Sequence, residues 1–248
     1  MNYILALWLL GSEAFGFVLL SGPEKASLPA SPAAPNISFV WNGSSPFIKN
    51  KEKIDDGVLA NVSDEEAMRY LISKALGRWS AVRGSFLKLE LAPTDPNISI
   101  SDSDRINAIV VGKQESISTA AAARPRYENG LIFDCDIEVG TNSVSAESLD
   151  YTLTHEIGHC VGLGHAHSNY GAIMSYSRSQ VSPLLGSDDK AGVIFLYPDP
   201  AYASNSPQSL ACGRISGPLQ PSGVWVLWLL PPMALSLRRK YPLRSKTS

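Results

Sequence analysis

Residues 155–167 read His155-Glu156-Ile157-Gly158-His159-Cys160-Val161-Gly162-Leu163-Gly164-His165-Ala166-His167, and they hold all 4 histidines of a 248-residue chain. On a helix, positions i and i+4 lie one above the other on one face. His155 and His159 can therefore present two imidazoles to one metal ion. Glu156 stands one step round the helix, close to such an ion without being needed as a ligand, and can reach a water held there. Gly162 lets the chain leave the helix with positive φ, and that sharp exit can bring His165 back as a third ligand. Three neutral nitrogens leave the fourth position of a zinc ion open, as in a catalytic rather than a closed structural site. A helix carrying three solvated histidines is the plain alternative. The joint register of glycine and third histidine argues against it.

Working outward, Ser148 is the expected N-cap of this helix, which runs on through Leu149, Asp150 and Tyr151. Upstream, Gly130–Val139 reads as a strand. Leu131, Phe133, Cys135, Ile137 and Val139 are expected on one face, with Ile132, Asp134, Asp136 and Glu138 on the other. Two further strands are expected around Leu87–Leu91 and Ile106–Val111. Ser63-Asp64-Glu65-Glu66 is a capping box. It opens a helix whose Ala67, Tyr70, Leu71, Ala75, Trp79 and Val82 share an apolar face. A last helix is expected over Asp188–Tyr197, stopped by Pro198. Strands followed by an active-site helix and a final helix indicate an α+β fold, placed at residues 38–199.

The residues 155–165 resemble the metzincin zinc-protease signature, His-Glu-x-x-His-x-x-Gly-x-x-His. Ala172-Ile173-Met174-Ser175-Tyr176 resembles the Met-turn of that clan. Ser187–Pro198 resembles the C-terminal helix of matrixins, the branch that includes matrix metalloproteases, and Leu131–Ile137 resembles their last strand before the active-site helix. The resemblance implies a metzincin-like catalytic domain with a mixed twisted sheet. It implies zinc-dependent endopeptidase activity on protein or peptide substrates. One catalytic Zn2+ would be held by His155, His159 and His165, with Glu156 as general base and Met174 as an apolar floor. The Met-Ser-Tyr order is closer to serralysins and astacins, where the tyrosine two places after the methionine can ligate zinc. Tyr176 is thus a candidate catalytic residue, as ligand, as oxyanion donor, or as an aromatic wall of the cleft. Ala166 departs from the serine or threonine usual in matrixins. No cysteine precedes Cys135, so no cysteine-switch propeptide is expected. His167 has no place in the signature.

Cys135 lies on the apolar side of its strand, and Cys160 on the side of the helix away from His155 and His159. A disulfide and two buried thiols both fit that placement. With 3 cysteines and no Cys-x-x-Cys pair, a disulfide-framework mini-protein and a cysteine zinc ribbon are excluded. Asp102, Asp104, Asp134 and Asp136 could hold Ca2+, but no motif supports such a site.

The formal charge is −2, and 5 cations lie in the last 11 residues, so the rest of the chain carries −7. An acidic body argues against nucleic acid as a partner. Residues 1–22 read as a secretory signal peptide lacking a basic start, with Ser12-Glu13-Ala14 or the neighbourhood of Gly22 as the cleavage site. Residues 23–37 and 200–222 read as linkers rich in Pro, Ser and Ala or Gly. Within 223–248, the run Val224–Leu237 is followed at once by Arg238-Arg239-Lys240. A short apolar span with a basic tail resembles bacterial C-terminal sorting signals, and Cys212 sits where some of those carry a processed cysteine. These ends imply a secreted or surface-anchored monomer with membrane contact through the C-terminal segment. A non-catalytic surface binding protein on the same scaffold is the rival reading. The intact Glu156 argues against it.

Overall fold

The computed structural model describes residues 17–20, 26–101, 104–112, 120–166, 170–176 and 182–205. Asp102, His167, Cys212 and both terminal segments expected as leader and sorting tail lie outside them, save residues 17–20.

A five-stranded sheet carries the fold, in the order β3-β1-β4-β6-β5. Its strands are β1 (Asn36–Trp41), β3 (Lys88–Leu91), β4 (Asn107–Gly112), β5 (Ala121–Glu128) and β6 (Leu131–Gly140). β1 runs parallel to β3 and β4, β4 parallel to β6, and only β5 antiparallel, at the edge. A two-stranded parallel pair joins β2 (Ile48–Lys49) to β7 (Val144–Ser145). The fold is α+β, as expected. Sequence pattern missed β1 and β5. The run Ala121-Ala122-Ala123-Arg124-Pro125 has none of the β-branched enrichment that marks strands, and it is extended because it pairs with β6.

The alternation expected on β6 changes phase partway. Arg126 pairs with Asp134 but Tyr127 pairs with Ile132, so Phe133 is an extra residue in a bulge. Ile132, Cys135, Ile137 and Val139 are consequently buried, while Leu131 is exposed.

α1 (Asp64–Ser80) starts at the expected capping box. The Ser63 hydroxyl accepts from Glu66 N, and the Glu66 carboxylate accepts from Ser63 N. The buried face is broader than the pattern predicted, adding Met68, Ile72 and Leu76, because α1 packs on both the sheet and α2. α2 (Ala146–Cys160) begins one turn before the expected start. Ser145 is its N-cap, and the Ser145 hydroxyl accepts from Ser148 N. Ser148 therefore donates its backbone N–H to the cap instead of being the cap. Two buried contacts fix α2 against α1. The Arg78 guanidinium forks onto both carboxylate oxygens of Asp150 and also donates to Thr154 Oγ1 at 2.8 Å. Trp79 Nε1 donates to Thr154 O at 2.9 Å. α3 (Ser187–Leu196) and α4 (Pro200–Asn205) close the described chain.

Cys135 and Cys160 form a disulfide, both fully buried, which ties β6 to the last residue of α2. Residues expected as a linker before residue 38 are built into the domain. Ala26 and Leu28 are buried, Ile132 N donates to Ser27 O at 2.9 Å, and Leu28 N donates to the Tyr197 hydroxyl at 2.8 Å. Their small and aliphatic side chains fill space against the core, which a composition rich in Pro and Ala does not reveal. Among the described residues, no helix is long and apolar enough to cross a membrane.

Candidate active site

The second half of α2 presents His155 and His159 one turn apart, and Gly162 then turns the chain with φ of 103°. A side chain at Gly162 would come within 2.3 Å of Ala26 O, so this position needs glycine for both its φ and its space. The turn returns His165. Its Nε2 stands 3.0 Å from His155 Nε2 and 3.2 Å from His159 Nε2. Imidazole nitrogens bound tetrahedrally to one zinc at about 2.0–2.1 Å stand about 3.3 Å apart, so the spacing fits such an ion. Among the described residues, these three are the one His/Cys/Asp/Glu group whose ligand atoms converge within 4.8 Å.

The outer ring nitrogens are fixed too. His155 Nδ1 lies 2.8 Å from Ile173 O, and His159 Nδ1 lies 2.8 Å from Leu163 O. A carbonyl only accepts, so each Nδ1 carries the proton and each Nε2 offers its lone pair inward. Burial, reinforced by the charge of His155 nearby, pushes His159 down to about 4. The ring is thus neutral at pH 7, as a ligand must be.

Glu156, one residue along, is largely buried. Its Oε2 accepts from Ala123 N on β5 at 2.7 Å. Burial raises its carboxyl to about 7, partly countered by that N–H. A carboxyl poised near neutrality beside a metal site suits proton transfer.

Met174 is almost fully buried. A Cβ at Gly158 would meet Met174 Sδ at 2.3 Å, so the glycine inside HEIGH is there to admit the sulfur. Tyr176, the other sequence candidate, sets its ring against His165 at a tilt of 33°, with centroids 4.0 Å apart, and remains 62% exposed.

Sequence reading missed Asp189. Its buried carboxylate accepts from Ile173 N at 2.7 Å, from Met174 N at 3.2 Å and from Gly186 N at 2.7 Å. Ile173 O in turn receives His155 Nδ1, and Met174 O receives Ala166 N at 2.7 Å. One carboxylate thus holds the turn that orients two ligands. Two adjacent acids at the start of a helix were the available signal, but helix-start acids ordinarily face solvent. Of the residues considered for calcium, Asp136 accepts from Ser101 N and Ala108 N, and no group including the described aspartates converges on an ion.

The geometry brings together three imidazoles that could hold one metal ion, with a neighbouring carboxylate. The chain matches the matrixin family model over residues 53–198, more than half its length, and it belongs to the matrixin family. Matrixins are zinc-dependent peptidases, and the triad His155, His159 and His165 could hold the metal. A search of curated proteins finds no match.

Proposed function

We propose that the protein is a zinc endopeptidase that hydrolyses peptide bonds in extracellular proteins, with Glu156 as general base. The observation that carries the reading is the convergence of three inward Nε2 atoms beside one buried carboxylate. His155, His159 and His165 would hold Zn2+, which supplies Lewis-acid polarisation of the scissile carbonyl and activation of a water.

The chain's own residues do the rest. Glu156 takes a proton from the attacking water at its carboxylate and delivers one to the leaving amine. The Ala123 N–H aims that carboxylate by holding Oε2. Tyr176, whose ring lies against that of His165, would donate a hydrogen bond to the developing oxyanion.

The signal-like residues 1–22 and the apolar, basic-ended residues 223–248 support secretion or surface anchoring. Membrane contact would be confined to the C-terminal segment. Casein cleavage by the zinc-loaded protein tests the reading. A chelator and Glu156→Gln should each abolish it, and cleavage that survives both would overturn it.

A further inference from the structure

The two ends of the Cys135–Cys160 disulfide stand in a fixed relation to Glu156. Cys160 comes four residues after Glu156, one helical turn further along α2 on the same face. On β6, Cys135 comes two residues before Ile137, and the sheet register pairs Ile137 with Ala123 and Cys135 with Pro125. Ala123 is the residue whose N–H holds Glu156 Oε2 at 2.7 Å. Two links between α2 and the sheet edge therefore run side by side, a hydrogen bond from Ala123 to Glu156 and a covalent bond from Cys135 to Cys160. Four helical residues rise about 6 Å, and two strand residues rise about 6.8 Å, so the two links keep in step.

β5 is the edge strand, and its partner in the sheet is β6. Its place over α2 is thus set through β6, which the disulfide ties to α2 at two fully buried cysteines. Ile137 and Ile157 pack in the same core, but apolar packing is non-directional. The hydrogen bond to Glu156 weakens steeply with misalignment, and the bridge supplies the directional restraint it needs. The imidazoles have other partners, with His155 Nδ1 on Ile173 O and His159 Nδ1 on Leu163 O. Loss of the bridge should therefore spare the zinc and misaim the base.

We propose that the Cys135–Cys160 bridge is a positioning element of the hydrolytic centre, setting α2 against β5 so that Glu156 meets the Ala123 N–H, and that full turnover requires the oxidised pair. The inference rests on the peptidase reading above. Forming the bridge takes two electrons and two protons from the two thiols, and a low-molecular-weight disulfide accepts them to become two thiols. The chain stays at low activity while reduced, and oxidation outside a reducing compartment completes the centre.

The test compares the full-length protein with Cys135→Ala/Cys160→Ala, both zinc-loaded and assayed on labelled casein well below the Tm of the variant. The variant should keep its zinc and its KM while kcat falls by about a hundredfold, the scale of a 1 Å misplacement. The Ala123 amide, followed by NMR hydrogen exchange without substrate, should lose its protection. A bridge that only stabilises the fold would lower Tm and leave kcat and the Ala123 amide as in wild type, which would overturn the proposal. Loss of zinc together with activity would overturn it as well. Where the variant does not fold, wild type opened with a trialkylphosphine in mild urea and returned to buffer carries the same comparison. It should show the same low kcat, restored by oxidised glutathione. Full activity with the bridge open, or failure of this form also to fold, would overturn the proposal. Zinc-loaded wild type that cleaves no casein would instead refute the peptidase reading, and the Ala123 amide would still decide whether the bridge aims Glu156.

Discussion

Two buried carboxylates on α2 are treated in opposite ways. Asp150, in the first half, meets the Arg78 guanidinium with both oxygens and is almost fully buried. Glu156, in the second half, meets one backbone N–H and, among the described residues, no cation, and burial lifts its carboxyl to about 7. The first is compensated and holds helix to helix. The second is left short of partners and keeps a proton affinity useful near neutral pH. One helix thus separates a structural charge from a chemical one through the partners that α1 and β5 bring to it.

Changing each carboxylate should therefore break different things. The largest effect belongs to Glu156→Gln. Turnover should fall by about a thousandfold or more while bound zinc, measured by elemental analysis, stays at one per chain. Loss of metal along with activity would make Glu156 a ligand instead. Asp150→Ala comes next, because it leaves the Arg78 charge buried and unpaired. Urea denaturation should show about 3 kcal/mol or more of lost stability. Removing both charges with Asp150→Leu and Arg78→Met should recover most of that. Recovery of nothing would mean the pair is not what joins α1 to α2.

Asp136 on β6 sharpens the contrast, since among the described residues it has two N–H donors and no cation, and burial raises it to about 6. A carboxyl whose folded value is raised binds more protons folded than unfolded between about 4 and 6. It therefore contributes stability at low pH that is lost as pH rises through that window. Relative to Asp136→Asn, the protein should lose stability between pH 4 and 6 and run parallel above. A gap that stays constant across the window would deny the shift. The smallest effect should come from Ser145→Ala. It removes the N-cap of α2 at a cost of about 1 kcal/mol, read as a lowered Tm, with zinc content unchanged.

How much of this could be read beforehand follows from distance along the chain. His155, Glu156, His159 and His165 fall within eleven residues, so helical spacing and one glycine turn suffice to bring them together. Met174 was legible only through its resemblance to a Met-turn. Asp189 acts through backbone N–H groups contributed by another segment, and no periodicity records such a partnership. Residues 17–20 have a composition that reads as a leader, yet Leu20 N donates to Gly162 O and Gly164 N donates to Val18 O, a pairing of distant segments that no local pattern records. The phase of β6 was misread at its start because one bulged residue at Phe133 reverses every face before it.

Zinc-edge X-ray absorption on the purified protein and on Glu156→Gln is the most direct measurement. Three imidazole nitrogens at about 2.0–2.1 Å in both proteins, with the same shell, are the predicted result. Fewer than three imidazoles, or a shell that changes when Glu156 is replaced, would contradict it.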